Sequence, residues 1–295
     1  MVRSFALLAL AALSLPAQDF SAIKVERVAV GFRFTEGPAW APGGGGGGGY
    51  LVFSDIPNNR IHKYTPGKGV EVLRENSGGA NGNAFDQRGL LVSCEGNARR
   101  LSRTTSKGAV ETLADKFEGK RLNSPNDLAI RKDGLIFFTD PSFGRNDDSR
   151  ELPFYGVFRL TPKGELTVIS RSGKRPNGVA LSPNGRILYV ANSDERLIRA
   201  YDLDRQGNAS GERVLITGIS GVPDGIKTDE KGNIYVACAG VAIYSPEGRL
   251  LHTIEMGETP ANLAFGDPDY KTLYVTARTS LYRIRLDVKG SVIHE

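Results

Sequence analysis

Histidine and cysteine are scarce in this chain, with three of the former and two of the latter among 295 residues. His62, His252 and His294 are widely separated, and two scattered cysteines cannot complete a tetrahedron, so a zinc site built on His and Cys is excluded. A Ser-His-Asp triad has little support for the same reason, because none of the histidines falls at an opening of the internal repeat described below. Cys94 and Cys238 each end an apolar, strand-like run and are expected to be buried free thiols. Long apolar runs are also missing. The longest, Phe5 to Leu15, is far short of the roughly 20 residues that span a bilayer. It follows Arg3 and precedes Pro16 and Ala17, which reads as a secretory signal over residues 1–17, with residues 18–295 as the mature chain. A secreted or periplasmic protein with no membrane attachment after cleavage is expected. The net charge of +5 is modest, and the one tight basic group, Arg99, Arg100 and Arg103, lacks interleaved aromatics, which argues against a nucleic-acid partner.

Glycine is plentiful instead, at 36 residues, with 15 prolines between short runs of Val, Ile, Leu, Tyr and Phe. That pattern indicates an all-β chain, and 40% hydrophobic content is enough for one substantial core or two smaller ones. An internal repeat organises it. Asn123 to Asp140 is the most legible copy, and related copies start near Pro176 and Pro223. Six openings, Glu36, Asn81, Asn126, Asn177, Asp224 and Ala261, are separated by 45, 45, 51, 47 and 37 residues. A repeat of roughly 40 to 50 residues with room for four short strands is the signature of a β-propeller blade. The last copy has room for three strands only. A segment from Lys24 to Val30 can supply the fourth and close the ring, which removes an exposed edge. The expected fold is one six-bladed β-propeller of four-stranded antiparallel blades, closed by an N-terminal strand in the C-terminal blade.

Two insertions interrupt the repeat. Gly43 to Gly49 is a run of seven glycines expected at a hairpin tip; no Lys-Ser/Thr or helix pattern follows that would make it a phosphate cradle. Pro141 to Tyr155 follows a strand end and is read either as a lid over a pocket or as a solvated loop.

In a propeller the first strand of every blade lines the central channel, so residues at one register near those strands converge at its mouth. Glu36, Asn81, Asn126, Asn177 and Asp224 are thereby expected to be neighbours although they span 188 positions. Each Asn-Gly or Asp-Gly alone could be an ordinary turn; the common register sets them apart. Two carboxylates and three amides facing one point form an oxygen cage for one divalent cation, Ca²⁺ first, with Mg²⁺, Mn²⁺ or Zn²⁺ as alternatives. Ala261 interrupts the ring, and Asn262 beside it could substitute through a shifted backbone.

The ordered motifs Thr35-Glu36-Gly37-Pro38-Ala39-Trp40, Asn123-Ser124-Pro125-Asn126-Asp127, Phe138-Thr139-Asp140-Pro141, Pro176-Asn177-Gly178 and Pro223-Asp224-Gly225 resemble the SMP-30/gluconolactonase/LRE-like family across roughly Phe34 to Arg285. The resemblance implies a six-bladed, calcium-dependent propeller that acts as a lactonase. It assigns Glu36, Asn177 and Asp224 as metal ligands and gives Asn126 to the metal shell or to substrate. Ser124 stands where the animal members carry an arginine, so their substrate preference does not transfer. The expected reaction is metal-assisted hydrolysis of a sugar lactone. Asp224 is the first candidate for the base and Asp127 the second, with Asn81, Asn126 and Asp140 as candidate substrate contacts. Asp127 could equally cap a strand turn, and Asp140 could simply start a loop. A phosphotriesterase on the same metal and a non-catalytic propeller that binds sugar or protein are the alternatives.

Overall fold

A computed structural model describes residues 20, 23–43, 48–143 and 149–291. The expected signal peptide, the centre of the glycine run and part of the 141–155 insertion lie outside the described residues.

Six four-stranded antiparallel sheets follow one another along the chain. Blade 1 contains Thr35–Ala41, Tyr50–Asp55, Arg60–Thr65 and Gly69–Arg74. Blade 2 contains Ala80–Phe85, Leu91–Glu95, Arg100–Thr104 and Val110–Ala114. Blade 3 contains Leu128–Ile130, Ile136–Asp140, Gly156–Leu160 and Leu166–Ser170. Pro176–Leu181, Ile187–Asn192, Leu197–Leu203 and Ala209–Ile216 form blade 4. Ile226–Thr228, Ile234–Ala237, Val241–Tyr244 and Leu250–Ile254 form blade 5. Blade 6 takes Pro260–Gly266, Thr272–Ala277 and Ser280–Arg285 from the C-terminal copy, and its outermost strand is Val25–Val30, paired antiparallel with Ser280–Arg285. The first strands of successive blades touch in a closed cycle that ends with blade 6 against blade 1. The fold is the six-bladed propeller that the repeat predicts, with the closure that it requires.

Apolar packing departs from the expectation of one or two cores. It divides into six clusters, one at each blade-to-blade junction, for example Leu51, Phe53, Trp40 and Tyr274 between blades 1 and 6. Strands in the middle of a propeller are covered on both faces, so their side chains of both parities pack against neighbouring blades. The outermost strands are solvated, as in Gly69–Arg74, where nearly every residue is exposed. Cys94 and Cys238 are buried in separate clusters as free thiols.

The repeat openings do not simply precede the first strands. In blades 1, 2, 4 and 6 they sit inside them, at bulges where the pairing register skips: between Glu36 and Ala39, Ala80 and Asn83, Pro176 and Val179, and Pro260 and Asn262. A bulge inserts an unpaired residue and re-aims its side chain. Here it turns the opening residues toward the mouth of the channel.

Candidate active site

Glu36, Asn81, Asn126, Asn177 and Asp224 line a single cavity of about 340 Å³ at one end of the channel, together with Phe34, Ile56, Ser124 and Phe143. A second cavity of about 390 Å³ is walled by the far ends of the innermost strands, including Ala39, Trp40, Leu181 and Phe265, and among the described residues no carboxylate lines it. The chemistry belongs to the first.

Two carboxylates from the ends of second strands fix the backbone that enters this site. Asp55 accepts hydrogen bonds from the main-chain N–H groups of Arg33 (3.2 Å) and Phe34 (3.1 Å), three and two residues before Glu36. Asp140 accepts from Asn123 (2.7 Å) and Ser124 (2.8 Å), three and two residues before Asn126. The device is the same in both blades. Asp140, expected as a candidate contact for sugar hydroxyls, is fully buried with both oxygens engaged, and it is not among the residues that line the cavity. Burial raises its carboxyl to about 7, against the opposing pull of the Asn123 and Ser124 N–H groups and Arg99.

Blade-to-blade hydrogen bonds then set the ring. Gly82 N–H donates to the Asn126 carbonyl at 2.7 Å, and Gly178 N–H to the Asp224 carbonyl at 3.2 Å. The backbones approach so closely that a Cβ on Gly178 would lie 2.1 Å from the Asp224 carbonyl oxygen. Glycine after an opening residue, which reads in the sequence as turn chemistry, is therefore required by contact between blades. Where the equivalent residue carries a side chain, at Asp127 and Asn262, that side chain enters the channel wall.

Glu36 Oε2 accepts from its neighbour Gly37 N–H at 2.7 Å and from Asn262 Nδ2 at 3.1 Å. Asn262 thus holds a ring member and does not replace one. Asn177 donates Nδ2 to Ser193 Oγ at 3.0 Å, and Ser193 in turn donates to the Pro223 carbonyl at 3.0 Å, next to Asp224. The Asn177 carbonyl accepts Thr139 Oγ1 at 2.6 Å. Asn83 ties blades 1 and 2, donating to the Gly37 carbonyl at 2.9 Å and to Ser54 Oγ at 2.8 Å. Ser193, Thr139, Asn83 and Ser54 are absent from the sequence-based site set; polarity inside apolar strands marks Asn83 and Ser54, Thr139 falls within a quoted motif, and Ser193 follows the strand Ile187–Asn192.

Asp127 is also placed apart from the cavity lining. Its Oδ1 accepts the Leu128 N–H at 2.9 Å, its Oδ2 accepts the Val179 N–H at 3.4 Å, and Lys227 Nζ is 4.0 Å away. Its negative charge is felt by both Glu36 and Asp224. The strand-capping reading of Asp127 describes these contacts, and the placement leaves Asp224 as the candidate base that faces the cavity.

The electrostatics of the centre are those of crowded oxygens whose nearby cations, Lys227 and Arg278, only partly offset burial and mutual repulsion. Burial, and then the charge on Asp127, raise Glu36 to about 7, opposed by the Gly37 N–H, Asn262 and Lys227. Burial raises the Asp224 carboxyl well above its usual range, with Glu36 and Asp127 adding to the effect and Asn177 and Arg278 opposing it. Among the described residues no donor reaches the buried Asn81 Oδ1, an arrangement that is costly unless a further partner such as a cation or substrate completes it. Two carboxylates and amide oxygens fit a hard divalent cation. Among the described residues no group of three or more His, Cys, Asp or Glu is arranged as a metal site, so the candidate centre depends on its amides.

Aromatic rings and guanidinium groups stand at the mouth. Arg278 lies over the Phe34 ring at 5.7 Å and Arg175 over the Phe143 ring at 5.3 Å. Neither described histidine lines the cavity: His62 stacks on Phe53 and His252 on Phe20, and His294 lies outside the described residues.

Fold and site together define a six-bladed propeller with a carboxylate–amide centre at one mouth of its channel. The family described as SMP-30/Gluconolactonase/LRE-like region matches residues 34–279, and the chain belongs to it. Among curated relatives, a gluconolactonase from Zymomonas mobilis is 33% identical over 299 residues, covering 90% of this chain and 82% of the relative. The pentonolactonase XacC of Haloferax volcanii is 26% identical over 261 residues, covering 83% and 81% of the two chains. The solved structure of a gluconolactonase from Xanthomonas campestris superimposes with a TM-score of 0.83 at 32% identity, covering 90% of each chain.

Proposed function

We propose that this protein is a metal-dependent hydrolase that opens a sugar lactone. The observation that carries the reading is the convergence of Glu36, Asn126, Asn177 and Asp224 on one cavity. Relatives named as lactonases at 33% and 26% identity support the reaction class. Glu36, Asn177 and Asp224 would hold the cation, with Asn126 completing the shell or meeting the substrate. When bound, a divalent cation, Ca²⁺ first on the chemistry of these donors, would polarise the lactone carbonyl and stabilise the developing oxyanion.

The chain's own groups do the rest. Asp224 accepts a proton as water attacks the carbonyl carbon, and returns it to the ring oxygen when the acyl C–O bond breaks, so the product is the open hydroxy acid. Asn81 and Ser124 line the cavity beside Asn126 and offer hydrogen bonds to sugar hydroxyls. Phe34 and Phe143 wall the mouth and limit the water that reaches the ring. Amide and hydroxyl groups beside those rings suit a polyhydroxylated lactone better than an apolar phosphotriester. The test is hydrolysis of D-glucono-1,5-lactone by chelator-treated protein, with and without added calcium. Activity that depends on the cation supports the reading, and inertness toward every lactone in a small panel, with cation present, would overturn it.

A further inference from the structure

The mechanism leaves Lys227 unused; it lines the second cavity, as Arg131 and Lys132 do, on the far side of the channel wall from the ring. Lys227, on the innermost strand of blade 5, donates Nζ to the Ile226 carbonyl at 2.9 Å and lies 4.0 Å from Asp127 Oδ2, an oxygen on blade 3 whose side chain is almost fully buried. Its positive charge also reaches Glu36. The other cation that acts on the centre, Arg278, stands on the exposed rim over Phe34. Three carboxylates, Glu36, Asp127 and Asp224, interact in this part of the channel, and one ammonium stands beside the deepest of them. With all four groups ionised their balance would be two negative charges, the amount that one divalent cation neutralises.

We infer that Lys227 is a resident counter-cation: it cancels Asp127, keeps that carboxylate out of the metal's shell, and sets the centre for a single divalent ion. An ionised carboxylate in a poorly solvated channel needs a positive partner. With Lys227 in place, Asp127 has one and the incoming cation is left to Glu36 and Asp224. Lys227 acts through Asp127 and the cation and is a positioning residue.

The inference rests on the metal reading above, and calorimetric titration of chelator-treated protein with CaCl₂ separates the two. Wild type is expected to bind one ion per chain. Lys227→Met should bind calcium about tenfold more tightly, because a positive charge has left the site. A merely damaged site would bind more weakly, so the direction of change is diagnostic. Lys227→Arg should stay within about threefold of wild type, and the double variant Lys227→Met/Asp127→Asn, which removes both charges, should do the same. If Lys227→Met fails to fold, the double variant decides: wild-type affinity supports the inference, and a loss of about tenfold or more overturns it. Calcium binding by Lys227→Met no tighter than wild type overturns the inference alone. A wild type that binds neither calcium, magnesium nor manganese overturns the metal reading and this inference with it.

Discussion

Asn262 Nδ2 donates to Glu36 Oε2 at 3.1 Å, joining residues 226 positions apart across the seam where blade 6 meets blade 1. Closing the propeller and orienting a candidate metal ligand are therefore one structural event. Without this donor Glu36 keeps only the hydrogen bond from Gly37. Asn262→Ala should lower kcat/KM on gluconolactone about tenfold and weaken calcium binding by a similar factor, since a hydrogen bond to a charged group is worth ~1.5–3 kcal/mol. Steady-state kinetics alongside calcium titration will check it.

Glu36 and Asp224 are costly to the metal-free fold, because the one is buried and the other half-buried, and both are raised by desolvation and by acidic neighbours. Glu36→Gln should melt at least as high as wild type when both are stripped of metal, yet gain nothing from added calcium. Differential scanning calorimetry with chelator and with excess calcium gives the four melting temperatures required. Such an exchange of function for stability is common at active sites.

Asp140 yields a pH dependence. Its carboxyl stands at about 7 in the folded chain against an ordinary 3.8, so between those values the unfolded chain loses a proton that the folded chain keeps. Its contribution to stability thus falls as pH rises from about 4 to about 7 and is constant above that. Asp140→Asn removes this dependence. It also places an amide donor against the Asn123 or Ser124 N–H and destabilises the loop that carries Asn126. The advantage of wild type over the variant, measured by urea unfolding, should shrink across that pH window.

Gly178→Ala tests the blade contact. The added methyl would meet the Asp224 carbonyl oxygen at 2.1 Å and Gly225 Cα at 2.7 Å. A loss of about 1–3 kcal/mol is expected from overpacking. Calcium affinity should fall too, because the strain is applied directly to the backbone of Asp224. Denaturant unfolding and calcium titration together will show both effects.

The propeller was legible because its blades repeat at a regular spacing, and the ring of Glu36, Asn81, Asn126, Asn177 and Asp224 was legible because that spacing also fixes their register. What the repeat could not show is how each side chain points. Asp140 looks like a rim residue in sequence, yet a neighbouring backbone takes both its oxygens, and Asp55 plays the parallel role in blade 1. Asn262 follows an opening by one residue, which puts its side chain on a ring member and not in the ring. Phe143 reaches the cavity from the 141–155 insertion, outside the repeat register, and Phe34 stands two residues before Glu36 as Ser124 does before Asn126, a position whose side chain the repeat does not fix.

The central claim is that Asp224 belongs to a metal-dependent lactonase centre. It is tested most directly by measuring gluconolactone hydrolysis and calcium binding on the same samples of wild type and Asp224→Asn. The account predicts one calcium bound per wild-type chain, hydrolysis lost with chelator and restored by calcium, and a fall of at least about a hundredfold in kcat for the variant, in the range set by loss of a general base. Full hydrolysis by thoroughly chelated wild type, or by a variant that still binds calcium as wild type does, would contradict it.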